Sequence, residues 1–254
     1  MRECPATIEQ FLAACEAWNL EEVHQAVEAG FCVDEFDDDH VTGLQMAAAT
    51  GNIGIVRAKF IFTVQYLLDR GADIEKSNQV GMTALHHAAN NGHANIVRIL
   101  VQRGANYQKL TYLGASAMTL AAGSGHIDVV KLLLDLRVNI NPSHTALCPT
   151  PTIAAAFRKH THICALLSHR GAYIDANIQR LSNLSALSAA ISCNAITVVG
   201  ALLELGANLS FRSLNGLNAM ELAQQLHRDE VIAVLNSAIR SAPKGGCHQI
   251  FSLD

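Results

Sequence analysis

The sequence predicts an all-α solenoid of about seven helix–turn–helix repeats joined by short β-hairpin turns. Two observations carry this reading. First, residues 83–106 and 116–139 repeat one another at a step of 33. Thr83-Ala84-Leu85-His86 matches Ser116-Ala117-Met118-Thr119, Ala88-Ala89 matches Ala121-Ala122, and Gly92-His93, Val97, Leu100 and Asn106 match Gly125-His126, Val130, Leu133 and Asn139. A fixed period of this size belongs to chains that stack small units, each burying its apolar face against its neighbours. Second, the glycine closing each apolar segment extends the period outward. Gly30, Gly71, Gly104, Arg137 (in the glycine's place), Gly171 and Gly206 follow at steps of 41, 33, 33, 34 and 35.

Each unit begins with a short polar residue suited to capping a helix, at Thr42, Thr83, Ser116, Thr150, Ser185 and Asn218. A side-chain oxygen there accepts from a first-turn amide that has no partner within the helix. Pro151 follows Thr150 at the first helical position, where a missing N–H costs nothing. The small pairs Ala88-Ala89 and Ala121-Ala122 let neighbouring helices approach closely, and Gly92 and Gly125 end the first helix with positive φ. Ile96, Val97, Leu100 and Val101 line one face of the second helix. Gly104 then releases the chain into an extended turn. The array is expected over residues 1–240, with units near 9–38, 39–77, 78–110, 111–144, 145–179, 180–212 and 213–240. Residues 241–254, with Pro243 and Gly245-Gly246, read as a flexible tail.

Composition agrees. Half of the 254 residues are hydrophobic and 16% are charged, which favours an ordered chain over a disordered one. A net charge of −4 gives no electrostatic case for nucleic acid or an acidic membrane as ligand. The apolar runs fall short of a membrane span, and residues 1–15 carry no apolar core of a secretory leader. The seven cysteines are scattered without a C-x-x-C pair and read as reduced thiols. The expected compartment is therefore the cytoplasm, with nucleus or cilium as alternatives, and the chain is expected to be monomeric by itself.

The unit resembles the ankyrin repeat, whose signature is T-P-L-H-x-A-A at the start of a helix pair of about 33 residues. The matching residues are Thr83-Ala84-Leu85-His86-His87-Ala88-Ala89, Gly92-His93, Ile96-Val97 and Gly104-Ala105-Asn106, with weaker copies along nearly the whole chain. One unit keeps the proline and one keeps the signature histidine, so several hairpin-to-helix junctions are expected to be looser than the family pattern. Residues 112–122 and 129–134 also look like the ankyrin half of the ankyrin-plus-SAM scaffold proteins of primary cilia, although no SAM-like segment follows residue 240.

The resemblance implies a non-catalytic scaffold or adaptor that binds a protein partner through a concave surface of hairpin tips and inner-helix ends. The alternative is a regulatory inhibitor or transcriptional cofactor acting by the same binding in the nucleus. By register, the protein-binding positions are Gln79, Val80, Met82, Asn90, Asn91, Tyr112, Leu113, Ser124, Phe157, Arg158, Leu181, Leu184, Leu214 and Leu217, with Ala146, Leu147, Gln224 and Gln225 beside them. A row of valine, methionine, tyrosine and leucine at the tips is an apolar stripe, and contiguous apolar surface marks protein interfaces. The acidic run Asp34, Glu35, Asp37, Asp38 and Asp39 reads either as a receptor for a basic partner or as a solvated end of the stack.

No catalytic residue, metal site or cofactor is expected. His86 and His87 are adjacent and point about 100° apart on a helix; His86 and His93 stand where ankyrin repeats use histidine to bond neighbouring turns. Cys164 beside His160 has nothing to orient or activate it, and no H-E-x-x-H, Walker or G-x-S-x-G motif is present. One irregularity is left. The 41-residue step carries about eight extra residues, placed at 57–64 if Ile55-Val56 and Leu67-Leu68 form one apolar face. The insertion reads as a protruding partner-contacting loop, as a tolerated insertion, or as a splicing artefact.

Overall fold

The computed structural model describes residues 7–50, 57–141, 148–178, 184–213 and 215–241, excepting the side chains of 57–60, 177 and 178. The chain divides into two compact units, 1–138 and 139–254.

The first unit holds four helix pairs: α1 (Ile8–Glu16) and α2 (Leu20–Glu28), α3 (Gly43–Ala49) and α4 (Arg57–Asp69), α5 (Ala84–Asn90) and α6 (Ala94–Gln102), α7 (Ala117–Ser124) and α8 (Ile127–Asp135). First helices pack on first helices in the order α1, α3, α5, α7, and second helices likewise in the order α2, α4, α6, α8. The second unit repeats this with α9 (Pro151–Phe157), α11 (Ala186–Ser192) and α13 (Ala219–Gln225) in one layer and α10 (Thr161–His169), α12 (Ile196–Glu204) and α14 (Asp229–Ser241) in the other. Between α10 and α11, strands β1 (Asn177–Ile178) and β2 (Leu184–Ser185) pair antiparallel, with Ile178 opposite Leu184.

Five of the six expected side-chain caps form; the Thr83 hydroxyl instead meets His86 Nδ1 at 2.9 Å. Thr42, Ser116, Thr150, Ser185 and Asn218 each accept from the amide three residues on. Ala88, Ala89, Ala121 and Ala122 are fully buried between helices, as are Leu100 and Leu133 from the second layer. The glycines behave as the sequence implied, with φ of 81° at Gly92, 86° at Gly125 and 94° at Gly104. Where glycine is missing the chain still takes the left-handed turn, at Arg137 (φ 57°), Lys159 (φ 66°), Asn194 (φ 52°) and His227 (φ 52°). That conformation costs a residue with a Cβ roughly 1–2 kcal/mol, so packing in the flanking helices imposes it.

A regular latch joins successive repeats. After Gly30, Gly71, Arg137 and Gly171 the fourth residue accepts, through its side chain, the amide of the second residue after the next anchor. Asp34 takes Asp73 N–H at 2.9 Å and Glu75 takes Asn106 N–H at 2.6 Å in the first unit. Asn141 takes Tyr173 N–H at 2.9 Å and Asp175 takes Asn208 N–H at 2.9 Å in the second.

The register of the insertion differs from the expectation. Thr63, Val64 and Leu67 are the buried positions of α4, at the offsets of Ile96, Val97 and Leu100 in α6. The extra residues are therefore taken up before residue 61, and α4 starts a turn early at Arg57. Thr63-Val64 takes the buried offsets that the sequence pattern assigns to Ile55-Val56, which lies outside the described residues. Residues 51–56 and the tail from 242 onward lie outside the described residues.

Candidate functional site

The tips are built by one recurrent turn. Asp37, Asn78, Thr111 and Ser213 each donate their amide to the carbonyl four residues on, at 3.2, 3.0, 2.9 and 3.0 Å. In the first unit their side chains also fill the turn. Asp37 Oδ1 accepts from the amides of Asp39 and Val41, Asn78 Oδ1 from those of Val80 and Met82, and Thr111 Oγ1 from that of Ala115. The third residue after the first has positive φ, at His40, Gly81, Gly114 and Gly216. Gly81 is required on a second count, because a Cβ there would stand 2.7 Å from the Tyr112 amide nitrogen.

Hydrogen bonds between tips fix the order of the first unit's edge. Gln79 donates its amide to Asp39 O at 3.2 Å and its side chain to Asp38 O. Tyr112 donates its amide to Val80 O at 3.2 Å. The edge thus runs from the acidic tip, through Gln79 and Val80, to Tyr112 and Leu113. Val80 is 52% exposed, Tyr112 73% and Leu113 62%. Met82 is half-buried. At the acidic tip Asp34 is spent on the latch and Asp37 on its own turn, while Glu35, Asp38 and Asp39 are exposed and form no ion pair among the described residues. Phe36 lies below this tip with His40 tilted against it at 4.6 Å and Lys76 Nζ 4.7 Å from its ring centre.

The inner-helix ends form a polar row whose members bond to one another. Asn91 donates to Ala49 O at 2.6 Å, Ser124 Oγ donates to Asn90 Oδ1 at 3.1 Å, and Asn90 donates to Asn91 Oδ1 at 3.0 Å. These side chains tie repeats together on a partly exposed face. In the second unit Phe157 is 51% exposed at the end of α9 with the exposed Arg158 beside it, and Gln224 and Gln225 are exposed. Leu184 and Leu217 are half-buried. Leu181, Leu214, Ala146 and Leu147 lie outside the described residues.

His86, His93 and His126 bond to backbone groups of the stack. His86 is fully buried; its Nδ1 accepts from Thr83 N–H at 3.2 Å and so must be the unprotonated nitrogen, leaving Nε2–H to meet Lys109 O at 3.1 Å. Burial pushes its pKa down to about 4, outweighing the hydrogen bond to Lys109. His93 Nε2 meets Ala49 O at 3.1 Å and His126 Nε2 meets Asn90 O at 2.9 Å, each closing on the end of the preceding repeat's first helix. The missing signature histidine has a substitute in the second repeat. Gln45 accepts from Thr42 N–H at 3.3 Å and donates to Lys76 O at 2.7 Å, the same two bonds His86 makes. That junction is as fully bonded as the one built on histidine. Cys164 is buried, its thiol aimed at Thr152 O at 3.9 Å and pushed up to about 12 by burial, which suits packing and not nucleophilic attack.

Sequence reasoning missed three exposed apolar side chains near tips: Phe36, Leu110 and Tyr173. Each sits one or two residues from a recognised tip or anchor position, and only the turn geometry settles which way such residues face. It also missed Phe62, 53% exposed, because the register of α4 was open.

A family model for ankyrin repeats in three copies matches residues 55–146. Among curated relatives, the Notch-regulated ankyrin repeat-containing protein A of Danio rerio is 32% identical over 98 residues, covering 37% of this chain and 80% of the relative. The Notch-regulated ankyrin repeat-containing protein of Xenopus laevis is 32% identical over 97 residues, covering 37% and 78%. Among solved structures, the crystal structure of the human ASB11 ankyrin repeat domain aligns with a TM-score of 0.77 at 25% identity, covering 90% of this chain and 96% of that one. Ankyrin repeats generally mediate protein–protein interaction. No helix among the described residues is long and apolar enough to cross a membrane. With paired helices in the repeat's register among the described residues, its caps, its latch and relatives of this kind, the chain is a member of the ankyrin-repeat family.

Proposed function

We propose that the chain is a non-catalytic scaffold or adaptor that holds a protein partner on the hairpin tips and inner-helix ends of its repeats. The observation that carries this reading is the tip edge of the first unit, where Val80, Tyr112 and Leu113 stand exposed and adjacent on backbone fixed by hydrogen bonds. Exposed side chains on a rigid frame bind at little ordering cost, because the frame is in place before the partner arrives. The latches and caps supply that rigidity, and the buried thiols and hydrogen-bonded histidines are accounted for by packing.

The test compares affinity purifications of the natural chain and of a variant with Tyr112, Leu113, Leu181 and Leu184 replaced by serine, each read by quantitative mass spectrometry. The variant is expected to keep its helical circular dichroism and to lose at least one protein recovered by the natural chain. An unchanged set of recovered proteins from a folded variant contradicts the proposal. Imaging the tagged chain separates a cytoplasmic or ciliary scaffold from a nuclear regulator.

A further inference from the structure

We infer that the tip edge of the first unit receives an extended protein segment with a cluster of lysine or arginine side chains at one end and aromatic or aliphatic side chains at the other. This rests on the proposed protein-binding role and specifies the partner's chemistry. Charge and apolarity are sorted along the edge. One end presents the exposed carboxylates of Asp38 and Asp39, with Glu35 beside them, none of them in an ion pair among the described residues. The other end presents Tyr112 and Leu113, 73% and 62% exposed, with Val80 between. Gln79 bonds the first tip to the second and Tyr112 bonds the third to the second, so the order is fixed in backbone.

The turn chemistry leaves these groups for a ligand. Asp37 and Asp34 satisfy amides within the fold, and among the described residues Asp38 and Asp39 accept no hydrogen bond through their side chains. A cationic end of a segment is drawn to these carboxylates, which raises the association rate and sets the direction of docking. Burying Tyr112 and Leu113 then supplies the apolar contact, with tyrosine giving large area at two rotatable angles. The same carboxylates repel a phosphate backbone or an acidic lipid surface. A second copy of this chain presents the same acidic tip and lacks the matching cations there.

The experiment is selection of a random peptide library displayed on phage against the full chain, followed by fluorescence anisotropy of the enriched peptides. Enriched sequences are expected to carry a lysine or arginine cluster next to aromatic or aliphatic residues. Tyr112→Ser with Leu113→Ser is expected to weaken them at least ~10-fold. Asp38→Asn with Asp39→Asn is expected to weaken them about 3- to 10-fold and to flatten the dependence on salt. Val80→Ser provides an independent apolar probe, and thermal melting checks that each variant is folded. Enriched peptides that are acidic or uncharged, enriched peptides indifferent to all of these substitutions, or no enrichment over the bare support each overturn the inference. So does concentration-dependent self-association abolished by the tip substitutions. Peptides that fail on Asn91→Ala or Ser124→Ala but tolerate the tip variants overturn this inference and leave the general protein-binding reading standing. That reading falls separately, on the unchanged purification described above.

Discussion

The two units share a skeleton and differ in what crosses between repeats. Both use side-chain N-caps, alanine pairs between first helices, a buried leucine in the second layer and the carboxylate or carboxamide latch. In the first unit ionisable side chains add to these: His86 closes on the Lys109 carbonyl, His93 and His126 close on carbonyls of the preceding repeat, Arg70 pairs with Glu28 at 2.5 Å, Arg103 with Asp69 at 2.7 Å and Lys109 with Glu75 at 3.2 Å. In the second unit Arg228 reaches Ser192 O at 3.3 Å, the ion pair Arg212–Glu221 joins a hairpin to the helix that follows it, and His160 and Arg170, at the places of His93 and Arg103, are engaged as well; Ile153, Ser188 and Glu221 stand at the place of His86. The comparison separates two kinds of residue. Those common to both units build the stack; those peculiar to one set its response to acid and the character of its surface.

The largest effect tests the shared skeleton. Leu100 and Leu202 occupy equivalent, fully buried places in the two units. Replacing either by alanine removes the same methyl groups and leaves a cavity, at a cost of about 2–5 kcal/mol. Chemical denaturation is expected to give losses of similar size for Leu100→Ala and Leu202→Ala. A loss confined to one of them breaks the comparison.

The next effect tests the difference. His86 and His93 are held neutral by burial, His86 down to about 4, and burial also lowers His87. Protonation therefore favours the unfolded chain. The stability these groups contribute is complete above their unfolded pKa of ~6.5 and is lost as the pH falls from there through about 4, where His86 protonates in place. Within that window His86 alone lowers the folding equilibrium about tenfold per pH unit. Gln45 makes the same two bonds without titrating, so His86→Gln is expected to fold well at neutral pH and to lose part of the acid sensitivity. His86→Ala strands the Thr83 amide and the Lys109 carbonyl and is expected to cost about 2–3 kcal/mol at pH 7.5, a cost that shrinks as the pH falls because only the natural chain loses stability by protonating there. Urea titrations at pH 7.5 and 5 read both outcomes.

The smallest effect sharpens the backbone account. Lys159 in the second unit stands in the left-handed turn that Gly92 and Gly125 occupy in the first. Lys159→Gly is expected to raise stability by about 1 kcal/mol, the relief of the Cβ clash less the added freedom of the unfolded chain. A fall in melting temperature would mean that the lysine side chain does more than occupy the turn.

The stack was legible in the sequence because its determinants are local. Caps, alanine pairs and glycines sit at fixed offsets, so Thr83, Ala88-Ala89 and Gly92 announce their helices without reference to distant contacts. The register of α4 was not legible, since Thr63 is polar and Ile55-Val56 is the more apolar pair in sequence, yet Thr63 and Val64 are buried in α4. The tips were half legible. Spacing located Val80, Tyr112 and Leu113, but not that Gln79 is used to tie two tips together, nor that Asn90, Asn91 and Ser124 bond to one another. Hydrogen bonds between residues of adjacent repeats, some 34 apart in sequence, leave no local mark.

Hydrogen exchange read by mass spectrometry, with a recovered protein partner or selected peptide bound and free, tests the central claim most directly. The account predicts added protection at residues 79–82 and 110–114, where the tip edge of the first unit would be covered, with little change in α6 and α8. Protection confined to α6 and α8, with the tips exchanging as in the free chain, would contradict it.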